Sequence, residues 1–210
     1  MMGTTHAATG SAIGGGVGLA VFGVHSPIWM VASVATCGAA ILPDIDEPGS
    51  SVAHEFGFIS HGFFWIVNKI SGGHRKLTHS LLGLGIISLV LLATGPLASA
   101  VAFGILAAGA WRIVVPWFTG LRRLYVFVGI GGGYAFYHFH PFSGFFLIVF
   151  LSLGWLTHMA GDFLTSEGIP LLYPSHSRQS LPVFGTTGGK AETFRLVPCG
   201  SVFRLTLGQV

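Results

Sequence analysis

Charged side chains are scarce in this sequence, where Asp, Glu, Lys and Arg together make up 8% of the 210 residues. Ordinary soluble domains carry roughly 25%, so this scarcity excludes a typical soluble domain. Apolar residues account for 51% of the chain. We therefore predict an all-α protein, a polytopic membrane helix bundle whose main partner is the lipid bilayer.

Cysteine is nearly absent too, and Cys37 and Cys199 lie far apart, without the CxxC spacing of a thiolate metal site. Their isolation also excludes a disulfide framework. The ten Lys and Arg residues are scattered, with no basic helix and no basic stripe interleaved with aromatic residues. We therefore expect no nucleic-acid partner. No Lys or Arg precedes the first apolar run, so we expect that run to be retained rather than removed as a signal peptide.

Six apolar segments dominate the chain. Several are shorter than the ~20 residues that a perpendicular membrane span needs, so we expect four to six spans. The segments comprise residues 7–24, 28–42, 77–94, 96–118, 124–137 and 142–165. A polar connection over residues 43–76 separates the second segment from the third, and the apolar run within it predicts a short helix in the membrane interface.

Glycine recurs in the first segment with a helical spacing. Gly10, Gly14 and Gly18 stand four residues apart, and this spacing lets two helix backbones approach closely in lipid. The alternative is a phosphate-binding glycine loop, but no Gly-Lys-Ser/Thr follows and no strand precedes. We predict helix packing here and, in the fifth segment, at residues 131–133.

The basic residues predict the orientation. If all six segments cross the membrane, nine of the ten Lys and Arg residues fall on the side that holds both termini and the connection 43–76. Positive charge marks the cytoplasmic side, so we expect cytoplasmic N- and C-termini. We divide the chain into a helical membrane domain over residues 1–165, which includes the connection, and a cytoplasmic tail over residues 166–210 that packs on it.

Carboxylates and histidines are concentrated in the connection. Asp44, Asp46, Glu47 and Glu55 lie within twelve residues, and His74 and His79 follow. Zinc and manganese use such oxygen and imidazole ligands. We expect Asp44 and Asp46, two apart in an extended turn, to project to the same side. We expect Thr78 to cap the third helix, which places His79 on its first turn. For any one of these residues, an ordinary solvated loop is the alternative.

The carboxylates of residues 44–55 form one cluster, and His74 with His79 forms a second. His158 and Asp162 add a distant third cluster. They are four residues apart in a predicted helix, so both face the same way and can bind one ion. The predicted topology brings them to the same membrane face as the other two clusters. Carboxylates and imidazoles at a membrane rim are costly unless they bind a cation or one another. We therefore predict a site for one or two divalent metal ions at the cytoplasmic membrane face, most simply zinc, with manganese as the alternative. His54, His61, His138 and His140 are expected to lie outside it.

The motifs at these positions resemble those of the YdjM-like family of bacterial and archaeal inner-membrane proteins, which are thought to be metal-dependent hydrolases. The motifs are His6, Leu42-Pro-Asp-Ile-Asp46, His74-Arg-Lys-Leu-Thr-His-Ser80 and His158-xxx-Asp162 with the Leu-Thr-x-x-Gly-Ile-Pro-Leu-Leu-Tyr-Pro run after it. The resemblance covers nearly the whole chain and implies a multi-pass protein of a prokaryotic inner membrane. Glu47 stands where that family often has His, so a ligand at position 47 is not expected.

A more distant resemblance is to zinc-dependent phospholipases C. It maps their zinc ligands onto His6, Asp44 or Asp46, His74 or His79, and His158 with Asp162. The later His-xxx-Glu pair of those enzymes has no counterpart here, which argues against a complete three-zinc cluster.

These observations together predict a membrane-bound metal-dependent hydrolase of a phosphoester, such as a lipid headgroup or a membrane-proximal phosphodiester. The predicted metal ligands are His6, Asp44, Asp46, His79, His158 and Asp162. Asp46 and His74 are the candidate acid–base groups, and Arg75 is the candidate binder of the anionic substrate. Two alternatives remain: a metal carrier or sensor, and a protein that docks a partner and holds a purely structural metal. The sequence specifies no oligomeric state.

Overall fold

The computed structural model describes residues 2–47, 58–115, 119–139, 143–175 and 177–183. Within these ranges the protein is all-α, as predicted, with one isolated bridge between Ile169 and Gln179 as its β-type pairing. The α-helices are α1 Gly3–Phe22, α2 Ile28–Ala39, α3 Phe58–Ser71, α4 Leu81–Ala93, α5 Pro96–Val114, α6 Thr119–Arg122, α7 Tyr125–Phe139 and α8 Ser143–Phe163. Two short 3-10 helices, Leu42–Asp46 and Leu77–His79, follow α2 and precede α4.

Each of the six apolar segments contains a helix, and the connection 43–76 contains α3. Three of the described helical stretches are long and apolar enough to cross a membrane, namely Ile28–Asp46, Pro96–Val114 and Gly144–Phe163. The apolar helix Leu81–Ala93 is shorter. The architecture is that of a membrane helix bundle, while the count of four to six spans stays a prediction.

Helix α2 lies at the centre of the bundle and packs against α1, α5 and α8. It can do so because its buried positions are small: Ala32, Ala35 and Ala39 are fully buried. A Cβ at Gly38 would lie 2.2 Å from the Leu106 carbonyl oxygen of α5, and one at Gly154 of α8 would lie 2.5 Å from the Thr36 carbonyl oxygen. The neighbouring backbones are therefore in direct contact, which places the ends of these helices side by side.

The glycine spacing in α1 serves helix packing, as predicted. A Cβ at Gly10 would lie 2.6 Å from Ala40 Cβ, one at Gly14 would lie 2.4 Å from Thr36 Oγ1, and one at Gly18 would lie 2.8 Å from Trp29 Cα. In α7, Gly132 and Gly133 also face α5, whereas a Cβ at Gly131 would meet no atom of the described residues within 4 Å. The prediction for residues 131–133 is therefore right for two of the three.

This packing predicts opposite effects for two glycines of α1. We expect Gly14→Ala to lower the free energy of unfolding by about 1–3 kcal/mol, since the new methyl group overpacks the α1–α2 contact. Within the described part of the chain, a Cβ at Gly16 would meet no atom within 4 Å, so Gly16→Ala should be neutral or slightly stabilising. Unfolding of both variants in mixed micelles measures the difference. Equal stability of the two would show that α1 does not pack on α2 through Gly14.

Two local expectations are wrong. The segment that carries Asp44 and Asp46 is a 3-10 helix rather than an extended turn, because Pro43 sits at its start, where no backbone N–H is needed. The two carboxylates consequently contact different partners. The cap of α4 is Ser80, whose Oγ accepts a hydrogen bond from the Gly83 N–H at 3.2 Å, and not Thr78. His79 therefore lies in the 3-10 turn before the helix.

The chain after α8 returns to the same end of the bundle. Leu181 N–H donates to the Phe163 carbonyl at 2.8 Å, and Leu81 N–H donates to the Leu171 carbonyl at 3.1 Å. Ile169 is fully buried. The described part of the predicted tail thus packs against the ends of α4 and α8, while Cys199 lies outside the described residues.

Candidate metal centre

One end of the bundle collects the predicted ligands. The first turns of α1 carry His6, the 3-10 helix after α2 carries Asp44, and the 3-10 turn before α4 carries His79. His158 and Asp162 lie in the last turns of α8, one helical turn apart. His6, His79, His158 and Asp162 are fully buried, and the Asp44 side chain is 31% exposed. Elements that are up to 156 residues apart in sequence therefore meet at one point.

Four atoms face one another at this point: Asp44 Oδ1, His79 Nε2, His158 Nε2 and Asp162 Oδ2, here called the ligand cluster. Every pair in it that includes a histidine is separated by 3.1 to 3.6 Å. A tetrahedral ion with bonds of about 2.0–2.1 Å places its ligand atoms about 3.3–3.4 Å apart. The spacing of these five pairs is therefore close to that of a tetrahedral metal site.

Both histidines of the ligand cluster have a hydrogen-bond acceptor at Nδ1. His158 Nδ1–H donates to the Ala40 carbonyl oxygen at 2.7 Å. The Thr78 hydroxyl donates to Asp46 Oδ2, so its oxygen accepts the hydrogen bond from His79 Nδ1–H at 3.0 Å. In its neutral form each ring therefore carries its lone pair on Nε2, and the two Nε2 atoms lie 3.1 Å apart. Two facing lone pairs repel unless a cation or a proton lies between them.

His6 extends the ligand cluster. Its ring stacks on that of His158 with centroids 3.8 Å apart, and its Nε2 lies 3.2 Å from Asp162 Oδ1. His6 Nδ1 is buried without a hydrogen-bond partner among the described residues. His6, His158 and Asp162 form one group that could hold an ion, and Asp44, His74 and His79 form a second, adjacent group.

Asp46 lies beside these groups rather than among their ligand atoms. Its side chain is fully buried, and its Oδ1 accepts a hydrogen bond from His74 Nδ1 at 2.7 Å. Its Oδ2 accepts the hydroxyl proton of Thr78. Asn68 Nδ2 donates to the Asp46 backbone carbonyl at 2.7 Å, which fixes the 3-10 turn on α3. Both carboxylate oxygens thus orient histidines, one directly and one through Thr78.

His74 is the most accessible histidine of the site, with 32% of its side chain exposed. Burial disfavours its charged form, but the hydrogen bond to Asp46 and the carboxylates of Asp44 and Glu47 outweigh burial and raise the pKa of His74 above its ordinary value. These carboxylates therefore stabilise the imidazolium form that His74 takes when it accepts a proton.

Arg75 is buried, with its guanidinium between two carboxylates. Its Nη2 lies 3.2 Å from Asp162 Oδ2, and its Nη1 contacts Glu167 Oε2. Glu167 has no predicted role, although it stands five residues after Asp162. Thr78 is predicted as a cap, because a hydroxyl beside a helix start usually is one, and not as the link between Asp46 and His79 that the structure shows.

Four histidines were expected to lie outside the metal site, and the structure describes the side chain of one of them, His138. His138 lies in the last turn of α7 and contacts Tyr134 and Tyr137, with ring centroids 4.3 and 5.2 Å away. His54, His140 and the side chain of His61 lie outside the described residues.

Comparison with known proteins places this chain in a family. The family model described as "YdjM inner membrane protein" matches residues 1–204. Inner membrane protein YdjM of Escherichia coli (strain K12) and that of Shigella flexneri are each 28% identical over 153 residues, which is 72% of this chain and 52% of theirs. The chain thus spans about half the length of the curated relatives it matches. No solved structure matches the chain.

Proposed function

The chain belongs to the YdjM family of inner membrane proteins, and from this premise we propose that it is a membrane-bound metal-dependent hydrolase of phosphoesters. The observation that carries the proposal is the pair of facing His79 and His158 Nε2 atoms, 3.1 Å apart, with Asp44 and Asp162 oxygens beside both. A cation relieves the repulsion of the two lone pairs and the burial cost of the two carboxylates at once.

Zinc is the ion that we propose, because the ligand cluster has the ligand types and spacing of a four-coordinate zinc site. Asp44, His79, His158 and Asp162 would hold it, with His6 beside them. Hydrogen bonds from Nδ1 to Ala40 and Thr78 orient the two imidazoles, as outer-shell acceptors commonly do at metal sites. When bound, such an ion supplies Lewis-acid chemistry, which polarises a phosphoryl oxygen and acidifies water.

The protein's own groups supply proton transfer. With Nδ1–H donating to Asp46, the neutral ring of His74 has its lone pair on Nε2, which lies 3.5 Å from Glu47 Oε2. It can therefore take a proton from an attacking water molecule and return it to the leaving oxygen. Asp46 stabilises the imidazolium that forms and keeps the productive tautomer. His74 is thus the proposed catalytic base, and Asp46 is a positioning residue.

Arg75 supplies the charge that an anionic substrate needs. Its planar guanidinium suits two oxygens of a phosphoryl group. Because the site lies at one end of an apolar helix bundle, a lipid headgroup or another membrane-proximal phosphoester can approach it from the bilayer surface. We place this end on the cytoplasmic side of the membrane, on the distribution of Lys and Arg in the sequence.

A structural metal that supports partner docking is the second candidate. It is favoured by the four protein ligands, since structural zinc sites are typically closed by four side chains. The exposure of Asp44 distinguishes the candidates: at 31% it is the accessible member of the ligand cluster, where His158 and Asp162 are at 0% and 1%. An enzyme needs such a ligand, which can give way to substrate.

The test is metal-dependent turnover by the detergent-purified chain. We expect hydrolysis of a phosphodiester or phosphomonoester in a panel of phospholipids and nucleotides, loss of that activity with a chelator, and recovery with zinc or manganese. His138→Ala controls for the loss of a histidine, because His138 lies in the last turn of α7 and contacts Tyr134 and Tyr137. Metal-loaded protein that turns over nothing in the panel would favour the structural metal, and activity that survives complete metal removal would refute the proposed mechanism.

A further inference from the structure

The guanidinium of Arg75 lies between two carboxylates of different accessibility. On one side it contacts Asp162, whose side chain is 1% exposed. On the other side it contacts Glu167, whose side chain is 48% exposed, while the Arg75 side chain itself is 8% exposed. The Glu167 carboxylate therefore lies between Arg75 and solvent. An anion that approaches Arg75 from outside meets Glu167 first.

We propose that Glu167 is an internal anion that holds the substrate-binding arginine until the anionic group of a substrate displaces it. The inference rests on the proposed function for the identity of that group, a phosphoryl oxygen. Carboxylate and phosphoryl oxygens accept the same N–H groups of a guanidinium, so Glu167 and substrate compete for Arg75. Glu167 thereby sets the affinity of the site for anions, and it favours anions that bind arginine more strongly than a carboxylate does.

Displacement needs only a side-chain rotation, because the backbone on both sides of Glu167 is anchored. Thr165 donates to the Asp162 carbonyl through its N–H at 3.1 Å and through its hydroxyl at 2.7 Å. Ile169 and Gln179 exchange two backbone hydrogen bonds of 3.1 and 2.9 Å. Gly168 has a φ of 63°, and a Cβ there would lie 2.7 Å from the Gln179 carbonyl oxygen. The half-exposed side chain of Glu167 can turn into solvent while this frame stays in place.

Arg75 is held independently of Glu167. Its φ of 56° lies in the region that favours glycine, two residues after Gly73, and Gly72 and Gly73 have φ values of 81° and 115°. A non-glycine residue stays in this region when its surroundings fix it, and the buried contact with Asp162 supplies such a constraint. The guanidinium is therefore still in position when Glu167 leaves it.

The alternative is that Glu167 only holds Arg75 in the position that binds the anion. The two interpretations predict opposite changes in phosphate affinity when Glu167 is replaced. The experiment measures binding of inorganic phosphate to the metal-loaded full chain by calorimetry, with no turnover required. If Glu167 competes with anions, Glu167→Gln should bind phosphate about fivefold more tightly, the ratio expected for loss of a partly exposed ion pair. Glu167→Ala repeats the test without the amide that could still accept from Arg75.

Two further variants isolate the contact. Glu47→Gln removes another carboxylate near the site, 41% exposed and 3.5 Å from His74, and measures the effect of one lost negative charge. In an Arg75→Ala background the gain from Glu167→Gln should disappear, whereas the smaller effect of Glu47→Gln should remain. Phosphate binding that is unchanged or weaker in Glu167→Gln, or absent from all variants, overturns the competition. A protein that binds phosphate as expected but hydrolyses nothing refutes the proposed function and leaves the role of Glu167 standing.

Discussion

Asp162→Ala and His158→Ala, purified from membranes, should each retain less than about one-tenth of the wild-type metal, since loss of even an outer-shell partner lowers metal affinity about 10–100-fold. Both residues contribute an atom to the ligand cluster, and both are buried where water cannot replace that atom. Asp162 also contacts Arg75 and His6, so its removal disturbs more than one interaction. Metal content by mass spectrometry, normalised to protein, gives the result.

His138→Ala is the control for this loss, because His138 lies in the last turn of α7 and contacts two tyrosines rather than the ligand cluster. It should keep the wild-type metal content. Wild-type metal stoichiometry in both Asp162→Ala and His158→Ala would show that the ligand cluster is not the metal site.

Asp46→Asn should abolish most of the hydrolysis while the metal stays bound. The side chain keeps its size, but its amide nitrogen cannot accept a hydrogen bond. Only the remaining oxygen can accept one, from His74 or from Thr78. One of the two donors loses its partner, and His74 loses the carboxylate that stabilises its charged form. We expect kcat to fall about 10²–10⁴-fold, the usual contribution of a positioned acid–base group.

His74→Ala should produce a loss of similar size, and the double variant should lose little more than either single variant, because the two residues act as one unit. Thr78→Val gives the matched comparison: it removes the link from Asp46 to His79 and leaves the Asp46–His74 hydrogen bond intact. We expect Thr78→Val to lower metal affinity more than kcat. Full activity in Asp46→Asn with bound metal would eliminate the Asp46–His74 pair from the mechanism.

The helices themselves could be predicted from sequence, because their determinants are local. Six apolar segments separated by Pro, Gly and charged residues each yielded a helix, and the four-residue glycine spacing of α1 identified the face that meets α2. The residues that converge at the candidate metal centre were also named, since few polar residues occur in so apolar a chain. With only seven carboxylates, those that lie near helix ends are conspicuous.

The different contacts of Asp44 and Asp46 could not be predicted from the sequence. Asp44 and Asp46 are equivalent in the sequence, yet Asp44 faces the ligand cluster and Asp46 faces His74 and Thr78. A 3-10 helix turns about 120° per residue, so residues two apart project in different directions, whereas an extended turn would align them. The cap expected at Thr78 is likewise Ser80, because α4 begins two residues later than the sequence predicts.

The sequence by itself determined that this protein is an apolar helix bundle with a His/Asp-rich end, because hydropathy and helix periodicity are properties of contiguous residues. Only the tertiary structure decided which atoms face one another. The 3.1 Å separation of the His79 and His158 Nε2 atoms and the contact of Arg75 with both Asp162 and Glu167 depend on how close α2, α4 and α8 approach. Between α2 and α8 that approach is set by backbone contact at Gly154, and side-chain geometry across helices follows from such packing rather than from spacing along the chain.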